Sequence, residues 1–288
     1  MAYLTHKHIR DLAKYDLNLS QEQLLTDIQN NQIQNNAIIV CMPNTINHLK
    51  SLLDKFTSPV TLLFTDHHVI GSDNSSNNNT KIADHEMVKH IYAENWYDKP
   101  HSKVTQIPIG ISYKDIYLSK LSPALEHIEK NMTLNKDKPL KVLCNAHKST
   151  YSKPRSGYID DRKDMINQLK DSKVVDFCTD KHEFSSLTLI SCWKKHEQYA
   201  FELSPSGNGL DCHRTYEAII LNTIPIVRSN TLDPIYKQHD LPVVIVKEWN
   251  EVTEENLKIW HEQYKDCFTK DTKDKMRITY WENIIKNN

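Results

Sequence analysis

A short polar segment, Ser206–Glu217, holds the residues of this chain that are best suited to bind an anion. The chain has only five glycines, and two of them, Gly207 and Gly209, form a loop that a ligand can approach closely. Arg214 lies in the first turn of the predicted helix that follows, and a guanidinium makes paired hydrogen bonds to phosphate. Glu217 lies on the same side of that helix, where a carboxylate can accept hydrogen bonds from both hydroxyls of a ribose. The segment therefore predicts a site for a nucleoside diphosphate.

Three further residues belong to the predicted donor site. Ser206 and Asn208 flank Gly207, so their backbone N–H groups join those of the glycines as phosphate donors. His213 lies four positions before Glu217 and shares its side of the helix. A different interpretation is that Arg214 and Glu217 form an ordinary ion pair on the protein surface. The loop is neither a GxGxxG nor a GxxxxGKS motif, so a standard dinucleotide or Walker-type site is not predicted.

A strand, a loop, a helix and a second strand are predicted to position these residues. The runs Tyr199–Leu203 and Ile224–Val227 are apolar and read as buried strands. The intervening helix spans Cys212–Leu221, with Asp211 as its N-cap and Asn222 ending it in a left-handed turn. This order is half of a doubly wound α/β unit, in which the positive N-terminus of the helix faces a bound anion.

Other apolar runs extend the same pattern over the whole chain. Buried strands are predicted at Ala37–Cys41, Val60–Thr65, Ala93–Trp96, Val104–Ile107, Lys141–Cys144, Val174–Phe177 and Val243–Val246. Ile82–Tyr92 is predicted to be a helix, and the polar helical segment Leu118–Leu140 links two lobes. We expect an α/β protein with one lobe in residues 1–135 and a nucleotide-binding lobe in residues 136–272. A helix at about residues 273–288 is expected to pack back on the first lobe.

The composition excludes several classes of function. A net charge of −1 argues against a general binder of nucleic acid or of membrane surfaces. The chain contains neither an apolar run long enough for a membrane span nor a secretory signal, and its six cysteines form no CxxC pair. We therefore expect a cytoplasmic protein with reduced thiols, without stable membrane insertion. Metal motifs of the HExxH or Asp-x-Asp type are absent from the sequence, so no metal cofactor is expected.

A second polar segment, Asp66–Thr80, follows the strand predicted at Val60–Thr65. Sites of open α/β sheets are built beyond the carboxyl ends of strands, and the segment contains Asp66, His67, His68 and Asp73. We interpret one of these four residues as catalytic. The alternative is a solvated loop without chemistry, which the run of Ser and Asn after Asp73 favours.

The pattern from Phe201 to Val227 resembles the signature of exostosin-type glycosyltransferases. The residues that carry it are Phe-x-Leu-x-Pro-x-Gly-x-Gly-x-x-x-x-Arg-x-x-Glu-Ala, followed by Ile-Pro-Ile-Val. The chain is also similar to small soluble members encoded by large algal DNA viruses, which would place it in a host cytoplasm. The resemblance implies a GT-B fold, with two Rossmann-like lobes that face a cleft and a nucleotide-sugar donor held by the second lobe. It also implies inversion at the anomeric carbon of the transferred sugar.

The resemblance further implies individual roles. Arg214 would bind the donor diphosphate and Glu217 the ribose, with Arg155 and Arg162 as further phosphate partners and no metal ion. The family favours a UDP-sugar, and UDP-xylose first, with glucuronate or an N-acetylhexosamine as alternatives; the acceptor would be an oligosaccharide or glycan hydroxyl.

An inverting transfer needs a base from the first lobe. Asp73 is the first choice, and Asp66, His67 and His68 are the alternatives. The acceptor side would include Asp66, His68 and also Trp249, which follows the last predicted strand. A competing hypothesis is a non-catalytic module that binds nucleotides or glycans on the same scaffold, because a fold does not fix a function.

Overall fold

The computed structural model describes residues 2–34, 37–42, 45–65, 78–96, 100–111, 118–146, 161–178, 186–207 and 209–287. The first part of the chain holds, in order, α1 (His6–Arg10), β1 (Tyr15–Asp16), α2 (Gln21–Gln29), β2 (Ile38–Cys41), α3 (Ile46–Leu53), β3 (Val60–Phe64), α4 (Asn78–Asp84), β4 (Val88–Ala93) and β5 (Val104–Gln106). The second part holds α5 (Leu118–Asn131), β6 (Val142–Cys144), α6 (Asp161–Leu169), β7 (Val175–Phe177), α7 (Ser186–Lys195), β8 (Phe201–Leu203), α8 (His213–Ile220), β9 (Ile224–Arg228), α9 (Asp233–Gln238), β10 (Val244–Val246), α10 (Glu254–Tyr264), α11 (Lys270–Asp274) and α12 (Ile278–Asn287).

The strands form two parallel sheets, one in each part of the chain. The first sheet has the order β1-β2-β3-β4-β5, and all of its neighbouring strands are parallel. The second has the order β10-β9-β8-β6-β7, again with parallel neighbours throughout. The predicted α/β class with two parallel sheets is thus confirmed. The domain boundary at residue 135 stays a prediction.

The two sheets differ in how the chain winds through them. In the first sheet each strand is added beside the previous one, so right-handed crossovers place α2, α3 and α4 on one face. In the second sheet β7 lies on one side of β6, whereas β8, β9 and β10 lie on the other. The direction of winding therefore reverses between β6 and β8. Such a reversal opens a crevice at the carboxyl ends of the two strands.

Alternate residues of the first sheet belong to different hydrophobic clusters. Leu62 and Ile91 pack with residues of α2, α3 and α4. Leu63 and Tyr92 point to the opposite face and join a cluster that also contains residues from α5, α8, α9 and α12. A third cluster lies within the second sheet and α10. Because one cluster includes residues of both sheets, the two lobes share part of their core.

The prediction of a helix at Ile82–Tyr92 is wrong over most of that segment. The helix α4 ends at Asp84, and β4 begins at Val88 between β3 and β5. Both faces of β4 are covered, so its apolar residues do not alternate as they do in a half-exposed strand. The short apolar run was therefore compatible with both structures, and pairing with two neighbouring strands decided between them.

The end of the chain contacts the first lobe. The predicted single helix is divided into α11 and α12, and the break between them places Met276 beside the N-terminus, where its carbonyl accepts a hydrogen bond from the Leu4 amide (2.9 Å). The hydroxyl of Tyr92 donates to the carbonyl of Ile284 (3.1 Å). Within the described ranges, the helices are all too short or too polar to cross a bilayer.

Candidate functional site

The carboxyl end of β8 leads directly into the predicted anion-binding segment. Residues 204–212, which we call the glycine loop, connect the end of β8 to the start of α8. β8 and β6 are the two neighbours at which the winding of the second sheet reverses. Ligands of open parallel sheets bind in the crevice outside the carboxyl ends of such strands. The topology therefore places the glycine loop where a ligand is expected.

The start of α6 holds the first half of the glycine loop. The carboxylate of Asp161 accepts hydrogen bonds from the Ser206 amide (2.8 Å) and from the Trp249 indole (2.8 Å). Nε of Arg162 donates to the Ser206 carbonyl (3.2 Å). Burial raises the pKa of Asp161, while these hydrogen bonds and the charge of Arg228 act in the opposite direction. The loop is therefore braced by a buried carboxylate and a neighbouring guanidinium.

Two of the amides predicted to bind phosphate are already engaged inside the protein. The Ser206 amide donates to Asp161, and the Gly207 amide donates to the Gly209 carbonyl (2.9 Å). The prediction that these two amides bind the donor is therefore not supported by this arrangement. In the first turn of α8, the Thr215 amide donates to the Cys212 carbonyl (3.0 Å), and the N-cap, Cys212, makes no side-chain hydrogen bond. Amides at the start of a helix attract anions.

Close packing explains both glycines of the loop. A Cβ added at Gly207 would lie 2.6 Å from Nη2 of Arg162, and one added at Gly209 would lie 2.6 Å from Oδ1 of Asn95. Neither glycine has a positive φ. Arg162 is flexible at its tip, but Asn95 is fully buried immediately after β4. Gly209 is therefore required by the contact between the two lobes.

Asp211 joins the two lobes at this contact. Its amide donates to Oδ1 of Asn95 (2.7 Å), and its Oδ2 accepts from the Ile109 amide (3.0 Å) and the Tyr216 hydroxyl (2.6 Å). Burial raises the pKa of Asp211 to about 7, against the effect of its hydrogen bonds. The prediction that Asp211 is the N-cap of α8 is wrong, because Cys212 occupies that position. The carboxylate instead reaches the first lobe.

His213 makes a further contact between the lobes. Its Nδ1 lies 2.8 Å from the Gly110 carbonyl oxygen, and because a carbonyl only accepts, Nδ1 carries the proton. Gly110 has a φ of +68°, and a Cβ there would lie 2.2 Å from the carbonyl oxygen of Leu4. The ring of His213 is thus fixed by the first lobe through one nitrogen. Its predicted contact with the donor stays a prediction.

The guanidinium of Arg214 lies beside a carboxylate that the sequence analysis did not single out. Nε of Arg214 is 3.8 Å from Oε1 of Glu202, which is fully buried in β8. The other carboxylate oxygen of Glu202 is 2.8 Å from Nε2 of His196. Nη1 of Arg214 is itself buried and has no hydrogen-bond partner in the described part of the chain. A buried guanidinium N–H of this kind is a ready donor to an anionic ligand.

Glu217 lies one turn after Arg214 in α8 and is only 9% exposed. The alternative interpretation made Glu217 the partner of Arg214 in a surface ion pair. Arg214 lies next to Glu202 and also faces Glu217, and both Arg214 and Glu217 are mostly buried, so they do not form a pair on the protein surface. The geometry is compatible with the two predicted roles, on the diphosphate and on the ribose, which remain predictions.

Trp249 is not available to stack on an acceptor. Its side chain is fully buried in the core of the second lobe, and its indole nitrogen donates to Asp161. A stacking platform needs an exposed ring face, and this ring has none. The assignment of Trp249 to the acceptor side is therefore corrected to a structural role behind the glycine loop.

Several predicted residues lie outside the described residues. They are the four candidates for the base (Asp66, His67, His68 and Asp73) and two donor residues (Arg155 and Asn208). Their assignments stay predictions. The described neighbours of the first group are Thr65 at the end of β3 and Glu94 after β4, which are fully buried polar residues at the same edge of the first sheet.

Sequence reasoning missed Glu202, His196, Asn95 and Asp161. Glu202 carried a usable signal, because a carboxylate in the middle of a short apolar strand is rarely buried without a partner. Asn95 follows a strand and has a φ of +57°, a conformation that asparagine tolerates better than most residues. The contacts of Asp161 join segments that are distant in sequence, and local patterns do not report such contacts. His196 lies only six residues before Glu202, but helix and strand spacing does not indicate that these two side chains meet.

No protein-family model matches the chain, and no curated protein matches it either. Among solved structures, the chain is similar to one titled "Crystal structure of GtfA/B complex", with 11% identity and a TM-score of 0.46 over 92% of this chain. The match spans 60% of the length of that protein chain. The chain is also similar to the catalytic domain of starch synthase IV from Arabidopsis thaliana bound to ADP and acarbose. That match has 11% identity and a TM-score of 0.32, and it covers 93% of this chain and 76% of the other. Both likenesses are low, so the function has to be argued from the residues of this chain.

Proposed function

We propose that this protein is a glycosyltransferase that uses a nucleotide-diphosphate sugar. The observation that carries the proposal is the position of Arg214. Arg214 lies in the first turn of α8, directly after a glycine loop at the reversal point of the second sheet. Its Nη1 is buried and has no hydrogen-bond partner among the described residues. A helix start, a guanidinium and a crevice of this kind together suit a diphosphate. The exostosin-like signature lies over the same residues and favours a GT-B enzyme.

In the proposed reaction, a hydroxyl of a glycan acceptor attacks C1 of the donor sugar. The bond from C1 to the diphosphate oxygen breaks, and the nucleoside diphosphate leaves with the bonding electrons. A base from the first lobe takes the proton of the attacking hydroxyl. Arg214 and Arg162 offset the charge that develops on the leaving group, and Glu217 holds the ribose. Attack from the face opposite the leaving group gives inversion, and no metal ion takes part.

A UDP-sugar is the proposed donor, with UDP-xylose first. This choice follows the family resemblance. Neither a nucleic acid nor a membrane is among the proposed partners, and the cytoplasm is the proposed location.

Ligand-induced stabilisation tests the donor site. A donor present at 100 times its dissociation constant should stabilise the protein by roughly 2.7 kcal/mol, which a thermal-shift panel of UDP-, GDP- and dTDP-sugars detects. Release of nucleoside diphosphate in the presence of a glycan acceptor, measured with and without a chelator, then tests transfer. Binding without release would favour the non-catalytic module. A panel in which no nucleotide sugar shifts the melting temperature would contradict the donor site.

The base is tested by Asp73→Asn. We expect this substitution to abolish transfer, since the amide cannot take the acceptor proton, while the melting shift produced by the donor stays close to that of the wild type. Asp66→Asn, His67→Gln and His68→Gln are the matched variants in the same segment. Full transfer by Asp73→Asn, with loss of transfer in one of the other three, would move the assignment to that residue.

A further inference from the structure

Glu202, His196 and Arg214 form a buried group of three charged or titratable side chains behind the glycine loop. Glu202 is fully buried, and His196 is 2% exposed. One oxygen of the carboxylate is 2.8 Å from Nε2 of His196, and the other is 3.8 Å from Nε of Arg214. The carboxylate thus lies between a histidine and the arginine that is proposed to bind the diphosphate.

The ring of His196 is surrounded by acceptors on both sides. Its Nδ1 is 3.1 Å from the Cys192 carbonyl oxygen and 3.2 Å from the Trp193 carbonyl oxygen. Carbonyl oxygens only accept, so Nδ1 carries a proton. The contact between Nε2 and Glu202 needs a proton as well, which belongs either to the ring or to the carboxyl group. In both cases the His196–Glu202 pair has no net charge.

The neutrality of the His196–Glu202 pair determines the net charge of the three side chains around Arg214. If Glu202 faced Arg214 alone, its negative charge would offset that of the guanidinium, and the group would be neutral overall. With His196 sharing a proton with Glu202, the group keeps one net positive charge. Arg214 then lies beside a carboxylate whose charge is already balanced, at a distance too long for a hydrogen bond (3.8 Å). Oε1 of Glu202 and Nη1 of Arg214 are both buried without a hydrogen-bond partner among the described residues.

We propose that His196 is a positioning residue for the diphosphate site. It neutralises Glu202, so the positive charge of Arg214 is not offset and can attract an anionic ligand. This inference rests on the proposed function, because it takes Arg214 as the phosphate-binding residue. It extends that function by assigning the electrostatic balance of the site to two residues that do not touch the ligand.

Other titratable groups also lie near Glu202 and Arg214. Lys138 lies near Glu202, but its ammonium group donates to the Leu221 carbonyl (2.7 Å) and to the Thr223 hydroxyl (3.0 Å). Burial lowers the pKa of Lys138 to about 7. Cys144 and Cys192 also face Glu202, and burial raises the pKa of both thiols. Glu217 also faces Arg214. The side chains of Lys138, the two cysteines and Glu217 are the same in every variant compared below.

The experiment measures binding of inorganic pyrophosphate at neutral pH by thermal shift and titration calorimetry. We expect His196→Gln to weaken binding about tenfold or more, the range of a lost charge-assisted contact. The double variant His196→Gln with Glu202→Gln removes both members of the neutral pair, and we expect it to regain most of the lost affinity. Glu202→Gln alone should bind pyrophosphate about as well as the wild type does.

A merely structural role predicts the opposite order. Loss of two buried hydrogen-bonding groups would then make the double variant weaker than His196→Gln. His85→Gln is the matched control, because His85 forms a histidine–carboxylate pair with Asp54 (3.1 Å) in the first lobe; its pyrophosphate affinity should not change.

Three results would overturn the inference. They are equal pyrophosphate affinity in the wild type and His196→Gln, no recovery in the double variant, and no binding of pyrophosphate to the wild type. None of them decides the proposed function, which is tested separately by nucleotide-sugar binding and by release of nucleoside diphosphate. If His196→Gln does not fold, loss of pyrophosphate affinity in Glu202→Gln alone overturns the inference.

Discussion

The two lobes meet at the glycine loop, and they contribute different kinds of chemical group to this contact. The second lobe brings charged side chains: Arg162 and Arg214 with the buried carboxylates of Asp161, Glu202 and Asp211. The first lobe forms hydrogen bonds to this loop and to α8 through neutral groups: the amide side chain of Asn95, the Ile109 amide and the Gly110 carbonyl. Charge is thus concentrated on one side of the contact, and neutral hydrogen bonding is supplied by the other.

This difference indicates that the two lobes have different roles at the contact. The proposed ligand, a diphosphate, needs positive charge and helix amides, and in the second lobe both lie close to buried carboxylates. Among the described residues, the first lobe fixes the position of the loop through neutral groups, and the carboxylate of Glu94 lies at its own sheet edge. Substitutions on the two sides should therefore have separable effects, on ligand affinity in one case and on the contact between the lobes in the other.

The largest effect on affinity is expected from Arg214→Ala. Removing the guanidinium takes away a charge-assisted contact worth about 1.5–3 kcal/mol, so affinity for UDP should fall by about ten- to a hundredfold in a calorimetric titration. Arg10→Ala is the matched control, because Arg10 pairs with Asp16 (2.5 Å) in the first lobe. Unchanged UDP affinity in Arg214→Ala would remove the charge asymmetry on which the comparison rests.

A smaller effect, and a different one, is expected from Gly209→Ala. The new Cβ would lie 2.6 Å from a buried Asn95 side chain that is hydrogen-bonded to Asp211, so the contact between the lobes must shift. Overpacking of this kind lowers the free energy of unfolding by about 1–3 kcal/mol, measured by urea denaturation. In Gly207→Ala the neighbouring atom is the tip of Arg162, which can move, so its stability should change much less. Equal losses in the two variants would contradict the distinction between the sides.

A third effect, which depends on pH, is expected from Asp211→Asn. Burial raises the pKa of Asp211 from 3.8 in the unfolded chain to about 7 in the fold, so the native state binds more protons over this interval. The stability that this group contributes is present below the lower value and is lost as the pH rises through about 7. Compared with Asp211→Asn, the wild type should therefore lose stability from about pH 4 to about pH 7 in urea denaturation. If the difference in free energy of unfolding between the wild type and Asp211→Asn stayed constant with pH, the raised pKa of Asp211 would be contradicted.

Local patterns predicted much of the second sheet. The strand before the glycine loop, the helix after it and the strand at Ile224 are all present within a few residues of their predicted ends. Asn222 has a φ of +53°, as expected for a left-handed residue after a helix. These features depend on residues close together in sequence, and such residues are what apolar spacing and turn chemistry report.

Patterns failed where distant contacts decided the outcome. Val88–Ala93 is a strand because β3 and β5 pair with it on both sides. Trp249 looked like an exposed loop aromatic, but the packing of the second lobe buries it. The Ser206 amide donates to Asp161, which lies far away in sequence, and no local pattern indicates this bond. Its predicted role toward the donor stays a prediction.

The sequence by itself determined that this chain is an α/β protein and that Gly207, Gly209 and Arg214 lie in one loop and helix start. It did so because strand, turn and helix signals are local and because glycine is scarce in this chain. Only the tertiary structure decided that Gly209 packs on Asn95 of the other lobe and that Glu202 and His196 lie behind Arg214. The first contact joins the two lobes, and the second depends on how α8 packs against β8, so neither follows from local spacing.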